Sequence, residues 1–333
     1  MGVALRDIIT EYKTPVTWDS LSGVAAIDAN NALYQFLTII RQPDGTPLMD
    51  HKGRVTSHLS GILFRMVNFL EKGIKPVFVF DGKSSDLKNG TIAVRRKIRD
   101  DAGEKWKEAL EKGDEEEAYR QARSSTRVDD TIIKTSKELL DLMGIPHVQA
   151  RGEGESQAAF MVQRGDARYA VSQDYDTLLF GAPLLVRNLT VSGKRKIRGR
   201  IISVNPERIV LDEVLSGMKL TREELIQVGI LVGTDFNAGI EGVGAKTGLK
   251  IVKKGEFAQK IAEKCPDFDP EPILELFLHP PIATDYALAW GHPDAERIKK
   301  MLCEEYDFAE ERVESALERY TVKSGQKTLE SFF

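Results

Sequence analysis

The feature that most narrows the architecture is a set of short apolar runs, each ending in an acid. Gly23-Val24-Ala25-Ala26-Ile27 runs into Asp28, and Pro76-Val77-Phe78-Val79-Phe80 runs into Asp81. Tyr169-Ala170-Val171-Ser172-Gln173 leads to Asp174 and Asp176. Continuous apolar runs of this kind read as strands of a parallel sheet, buried on both faces. Helix-like stretches alternate with them: Asn31 to Ile40, Ser57 to Lys72, Asp129 to Met143 and Glu155 to Arg164. The alternation predicts an α/β fold with a central, largely parallel sheet flanked by helices. Ligands of such sheets bind beyond the carboxyl ends of the strands, where these acids fall.

Two segments break the alternation. Residues 83–127 are long, highly charged and interrupted by Gly90, Gly103 and Gly113, which predicts an inserted helical element standing clear of the sheet. Residues 190–202 are basic and hairpin-like, with Ser192-Gly193 as the expected turn. From about residue 220 the chain reads as helices to Tyr320, followed by a short tail.

The acids of interest are Asp28, Asp81, Glu153, Glu155, Asp174, Asp176 and Asp235. In an extended segment Asp174 and Asp176 project to the same side. Glu153 and Glu155 precede a helix start, where the helix dipole favours carboxylates. Asp235 follows the helix Glu223–Val232 within Gly233-Thr234-Asp235. Acids that converge repel one another and are tolerated when cations neutralise them. The five histidines are scattered and the two cysteines, Cys265 and Cys303, cannot build a zinc cluster or a disulfide scaffold, so any metal must be held by carboxylates. Magnesium takes such oxygen ligands and often acts in pairs in phosphoryl-transfer sites. A single acid of this kind reads equally as a solvated group or a helix cap, and for Glu153 and Glu155 that reading stands beside the ligand one. Three strands delivering an acid to one edge is the specific signal.

The 333 residues are 41% hydrophobic, and 47 Lys+Arg against 51 Asp+Glu leave a net charge of −4. That is enough apolar material for a core and too balanced a charge for a disordered chain. No apolar stretch approaches the ~20 residues of a membrane helix, and the N-terminus lacks a secretory layout. The expectation is a cytoplasmic protein with no membrane contact. The sum of charges does not exclude a nucleic-acid partner, because local sign matters more. Lys83, Lys88, Arg95, Arg96, Lys97 and Arg99 cluster at the start of the insertion, although acids such as Glu115 to Glu117 share the segment. The stretch Arg187 to Arg200 carries six basic residues and no acid, and suits either a solvated hairpin or a phosphate-contacting one.

Gly239-Ile240-Glu241-Gly242-Val243-Gly244-Ala245-Lys246-Thr247 nearly spells a nucleotide-binding P-loop. Ala245 separates the last glycine from Lys246, however, and a helix rather than a strand precedes it. A helix–hairpin–helix fits better, its exposed amides and helix N-terminus holding a backbone phosphate without reading sequence. The last residues, Gln326-Lys327-Thr328-Leu329-Glu330-Ser331-Phe332-Phe333, place two aromatics where something must bury them. One helical turn docking in a hydrophobic groove would do so, as would packing back on the chain's own domain.

Taken in order, Ile27-Asp28-Ala29, Phe78-Val79-Phe80-Asp81-Gly82, Glu153-Gly154-Glu155, Ser172-Gln173-Asp174-Tyr175-Asp176 and Gly233-Thr234-Asp235 resemble the archaeal-type flap endonucleases, within the larger group of structure-specific 5′ nucleases. The resemblance runs from Gly2 to Phe333. It implies a single nuclease domain over 1–322, with an N-terminal region (1–100), a helical arch (83–127), an internal region (140–225) and a helix–hairpin–helix (226–256), then a clamp-binding tail (323–333). It implies that all seven acids hold two Mg2+ ions, with Mn2+ as a substitute. Lys88 and Arg95 would act on the scissile phosphate at the foot of the arch through which a 5′ flap passes. Tyr34 would stack on a base, Arg41 would lie in the wedge between duplex arms, and Gly242, Gly244 and Lys246 would grip duplex DNA beside a K+ ion. Gly2 would become the N-terminus close to the site. Gln326, Leu329, Phe332 and Phe333 would anchor the tail to the sliding clamp (PCNA).

The implied activity is 5′-flap cleavage of branched DNA in replication and repair by a monomer, with 5′-exonuclease and RNase H-like activity. A sister nuclease for bubbles, nicks or Holliday junctions and a non-catalytic clamp partner are the rival readings. The sequence departs from the family pattern at Ala150-Arg151-Gly152, where Ala-Pro-Ser is common, and at Ala238 and Ala245, where prolines are common. Relatives from eukaryotes usually continue past the clamp motif, so the ending here favours an archaeal origin.

Overall fold

A computed structural model describes residues 2–42, 44–191, 193–197 and 200–324. Its strands in chain order are β1 (Thr14–Pro15), β2 (Gly23–Asp28), β3 (Ile74–Phe80), β4 (His147–Gln149), β5 (Tyr169–Val171), β6 (Leu184–Arg187), β7 (Gly193–Ile197), β8 (Arg200–Val204) and β9 (Glu207–Val210). Seven of them form one sheet in the order β1-β9-β6-β5-β2-β3-β4. The run from β6 to β4 is parallel throughout, and at the other side β9 runs antiparallel to both β6 and the edge strand β1. The three acid-bearing strands, β5, β2 and β3, are therefore neighbours at the centre of the sheet.

Alternation along β3 explains why the sheet is buried on both faces. Val77 and Val79 enter one apolar cluster, whereas Phe78 and Phe80 enter the other. The helices of the first half are α1 (Arg6–Ile9), α2 (Ala29–Ile39), α3 (Ser57–Glu71), α4 (Asn89–Glu111), α5 (Glu115–Ser124), α6 (Asp130–Leu142), α7 (Gly154–Arg164) and α8 (Asp176–Leu179). Those of the second half are α9 (Leu211–Met218), α10 (Arg222–Val232), α11 (Ala245–Lys253), α12 (Phe257–Lys264), α13 (Glu271–Leu278), α14 (Ala295–Lys299) and α15 (Glu310–Ser324). Residues of α2, α3 and α6 fill the Phe78 side, and residues of α7 and α10 fill the Val77 side. The charged insertion folds as α4 and α5, packed on one another. No helix among the described residues is long and apolar enough to cross a membrane.

Two local expectations are corrected. Gly193 is not the turn of the basic hairpin: it begins β7 and pairs with Val204, and the register runs to Ile197 opposite Arg200. The two residues between β7 and β8 lie outside the described residues. The segment from Asp174 to Asp176 is also not extended. The strand stops at Val171, Tyr175 has helical dihedrals and Asp176 opens α8. The carboxylates converge through that turn and not through strand alternation.

Candidate active site

Each acid reaches the carboxyl edge of the sheet by a different local device. Asp28 ends β2 and caps α2, accepting from the Asn31 amide at 3.0 Å. Asp81 follows β3, and its Oδ1 accepts from the Gly154 amide at 2.6 Å. Any side chain at residue 154 would press on Asp81, because a Cβ there would lie 2.9 Å from Oδ1. Glu153 stands at the N-cap of α7 but makes no capping bond with its side chain, which removes the cap reading. Its Oε2 instead meets the Lys88 ammonium at 2.5 Å, and Asp235 lies 3.5 Å from the same ammonium.

The chain's start closes the other side. The Gly2 amide donates to Asp174 Oδ1 at 2.9 Å and the Val3 amide to Asp176 Oδ1 at 2.8 Å. A Cβ on Gly2 would come within 2.7 Å of the Asp174 Cβ, so this approach requires glycine. Buried Ser172 donates towards both Asp28 (3.3 Å) and Glu155 (3.1 Å). Asp235 is aimed by a tight loop in which the Ile240 amide bonds to Leu231 and Asn237 bonds through its amide to the Ile230 carbonyl at 2.7 Å. Gly239 has φ +76°, and a Cβ there would strike the Val232 carbonyl at 2.5 Å.

Asp28 and Asp176 are buried, at 6% and 3% exposure. Burial and then the Asp81 charge push Asp28 up to about 8, and burial and then Asp235 push Asp176 up to about 7. Glu155 is raised well above the usual carboxylate range by burial, then by Asp176 and Asp28. Glu153 is raised by burial, with Lys88 partly offsetting it. For Lys88, burial alone would lower its pKa, but Glu153 and Asp235 outweigh it and hold the ammonium charged. One lysine among so many acids leaves the basin under-neutralised, so it favours added cations.

The donor set is all oxygen, which suits magnesium or manganese and not the softer metals. Among the described residues no group of three or more His, Cys, Asp or Glu is already closed around one point as a metal cage.

The other expected site residues lie on α2, in the loop after it, on α4 and at the start of α11, or outside the described residues. Tyr34 is 36% exposed on α2. Arg41 is half-buried, donating to the Leu37 and Gly45 carbonyls at 2.8 and 2.6 Å and to Thr126 at 2.5 Å. It ties the 41–49 loop to the end of the inserted helices, where Gly45 packs directly on Tyr119. Gly242 and Gly244 are exposed, Gly244 caps α11, and Lys246 lies in the first turn with its side chain in solvent. Arg95 lies on α4 with its side chain outside the described part, and Gln326, Leu329, Phe332 and Phe333 lie outside the described residues. Sequence reasoning missed Asn30, Asn31 and Ser172. The adjacent carboxamides at a helix start were the available signal, and they read from sequence as helix-capping residues.

A largely parallel α/β sheet with carboxylates gathered at one edge and a charged helical pair inserted after Asp81 defines a structure-specific nuclease of the XPG type. Residues 1–102 match the XPG N-terminal domain family and residues 144–235 the XPG I-region. Flap endonuclease 1 of Methanoregula boonei is 79% identical over all of both chains, and that of Pyrococcus furiosus is 52% identical over all of this chain and 99% of its own. The solved flap endonuclease-1 of Methanococcus jannaschii superposes with a TM-score of 0.79 at 38% identity, covering 98% of this chain and 100% of its own. The chain belongs to the flap endonuclease family, metal-dependent nucleases that hydrolyse DNA phosphodiester bonds.

Proposed function

We propose that this chain removes 5′ single-stranded flaps from branched DNA by hydrolysis at the flap junction, using two Mg2+ ions held among Asp28, Asp81, Glu153, Glu155, Asp174, Asp176 and Asp235. The observation that carries the reading is the convergence of acids from three adjacent parallel strands with Glu153, Glu155 and Asp235, while Lys88 reaches into them from the foot of α4. Bound metal would supply a nucleophile at neutral pH and stabilise the leaving oxygen.

The protein's own groups do the rest. Lys88, held charged, orients the scissile phosphate and neutralises charge as the bond breaks. Arg95 acts beside it. Tyr34 stacks on a base next to the junction, and the loop that Arg41 fastens separates the duplex arms. The segment 83–127 is assigned as the arch over a threaded strand. Gly242, Gly244 and Lys246 open the α11 N-terminus to a duplex phosphate, with K+ at the same hairpin, so recognition follows backbone shape and not base identity. The tail 323–333 is assigned to a sliding clamp on the spacing of Gln326, Leu329, Phe332 and Phe333.

An end-labelled double-flap DNA, incubated with Mg2+ or with EDTA, tests the reading. Junction cleavage only with metal, and far faster than on plain single strand or duplex, is expected. Asp176→Ala should keep flap binding and lose cleavage. Cleavage that prefers a bubble or four-way junction would overturn the substrate, and cleavage in EDTA would overturn the metal assignment.

A further inference from the structure

The first turn of α2 contacts acids from three different parts of the sheet edge. Through its backbone amide, Asn31 donates to Asp28 of β2, the cap of this helix. Through its carboxamide, it donates to Asp174 Oδ2 at 3.0 Å. Asn30, the residue before, donates through its carboxamide to Asp81 Oδ2 beyond β3. A carboxylate is acceptor-only, so the amide nitrogen of each Asn must face its acid, and this fixes which way each carboxamide points.

The Asn31 orientation is locked from behind. Its Oδ1 accepts from Gln35 one turn along α2 and from the Gln173 amide at 3.2 Å, and Gln35 in turn accepts from Thr190 at 3.0 Å. Asn30 is different. Its Oδ1 is buried with no partner among the described residues. An acceptor left open beside an acid is available to a water of a hydrated cation, the form in which magnesium usually enters a protein site.

We propose that Asn30 and Asn31 are positioning residues that aim Asp81 and Asp174 at the bound cations, acting as neutral donors that hold each acid without competing with the metal for charge. A lysine in either position would neutralise the acid, and an aliphatic residue would leave its Oδ2 without the carboxamide donor, held only through Oδ1 by the Gly154 or Gly2 amide. The inference rests on the metal-dependent reading above, and partners of this kind typically change metal affinity by about 10–100-fold when removed.

The test is Mn2+ binding by the full-length protein without DNA, measured by electron paramagnetic resonance. Wild type is compared with Asn30→Ala, Asn31→Leu and Asn31→Ser, whose hydroxyl is too short to reach Asp174. Folding is checked by circular dichroism, and Asn30→Ala and Asn31→Ser carry the test where Asn31→Leu does not fold. Flap-DNA affinity in EDTA is the control for a general loss of structure. A fall of about tenfold or more in Mn2+ affinity at both positions, with DNA affinity in EDTA within twofold of wild type, supports the proposal. Mn2+ affinity within twofold of wild type at either position overturns it. If the wild-type protein itself takes up no Mn2+, the metal-dependent reading fails instead.

Discussion

Asp28→Asn isolates the electrostatic cost of the acid basin. Asp28 is 6% exposed and accepts from the Asn31 amide and from Ser172. An asparagine of the same shape keeps the first bond and can donate to Ser172 in place of the second, so the main change is loss of the buried charge. Burial, and then the neighbouring Asp81, raise the group from 3.8 to about 8. A carboxyl whose folded pKa is raised binds a proton in the native state that the unfolded state has released. Its favourable contribution is therefore full below pH 3.8, declines as pH rises and is gone above about 8. At about 1.4 kcal/mol per pH unit the whole interval is about 6 kcal/mol. Part of the rise comes from the neighbouring charges of Asp81 and Asp174, so roughly half of that, ~3 kcal/mol, is the difference expected for one group. In EDTA, urea unfolding should show Asp28→Asn more stable than wild type by ~3 kcal/mol above pH 8, converging towards equality near pH 4. Mg2+ at pH 8 should stabilise wild type and have less effect on the variant. A variant less stable than wild type at pH 8 in EDTA would refute the account of the basin as under-neutralised.

Three further outcomes follow from particular contacts. Lys88→Met should lower the single-turnover cleavage rate by about 100-fold or more, the scale of losing a preorganised transition-state donor, while flap binding by anisotropy changes far less. Gly239→Ala forces a Cβ against the Val232 carbonyl at φ +76° and should cost about 1–3 kcal/mol in urea unfolding while weakening both duplex binding and cleavage. Lys246→Ala should weaken binding similarly on all sequences and reduce the salt dependence of log K by about one phosphate contact, read from a titration across KCl concentrations. An unchanged salt slope would remove Lys246 from the interface.

The parallel sheet was legible because Val77 to Phe80 and Ala25 to Ile27 are apolar at every position, which only a strand buried on both faces requires. The metal-binding candidates were legible because acids closing such strands lie on one edge whatever the loops do. What stayed hidden depends on contacts between distant parts of the chain. Asn31 and Asp174 are far apart in sequence, and nothing local separates a cap from a donor aimed across the sheet edge. Gly193 was misread as a turn residue because Ser-Gly is a plausible turn, and only the pairing of β7 with β8 shows it inside a strand. The bend at Tyr175 was missed because the strand ends at Val171, where Ser172 turns its hydroxyl to Asp28 and Glu155 and not to a neighbouring strand.

The loop from Gly233 to Gly239 joins the proposed duplex grip to the chemistry. Asp235 meets Lys88 on one side of it, and on the other Ile240 leads directly into the glycine hairpin that opens α11. The loop has little freedom: the Thr234 amide bonds to the Asn237 carbonyl at 3.0 Å, Thr234 Oγ1 donates to Asn237 Oδ1 at 2.8 Å, and Gly233 and Gly239 pack backbone to backbone. A phosphate held by the α11 N-terminus therefore sits at a fixed offset from Asp235. If the proposed duplex grip and metal assignments hold, the two should move as one body, and the cut should fall at a set distance from the gripped phosphate. A flexible linker in the same place would bind as well and cut at scattered positions. Gly233→Ala and Gly239→Ala should therefore scatter the cleavage position, read by mapping product ends on a labelled flap, as well as lower stability.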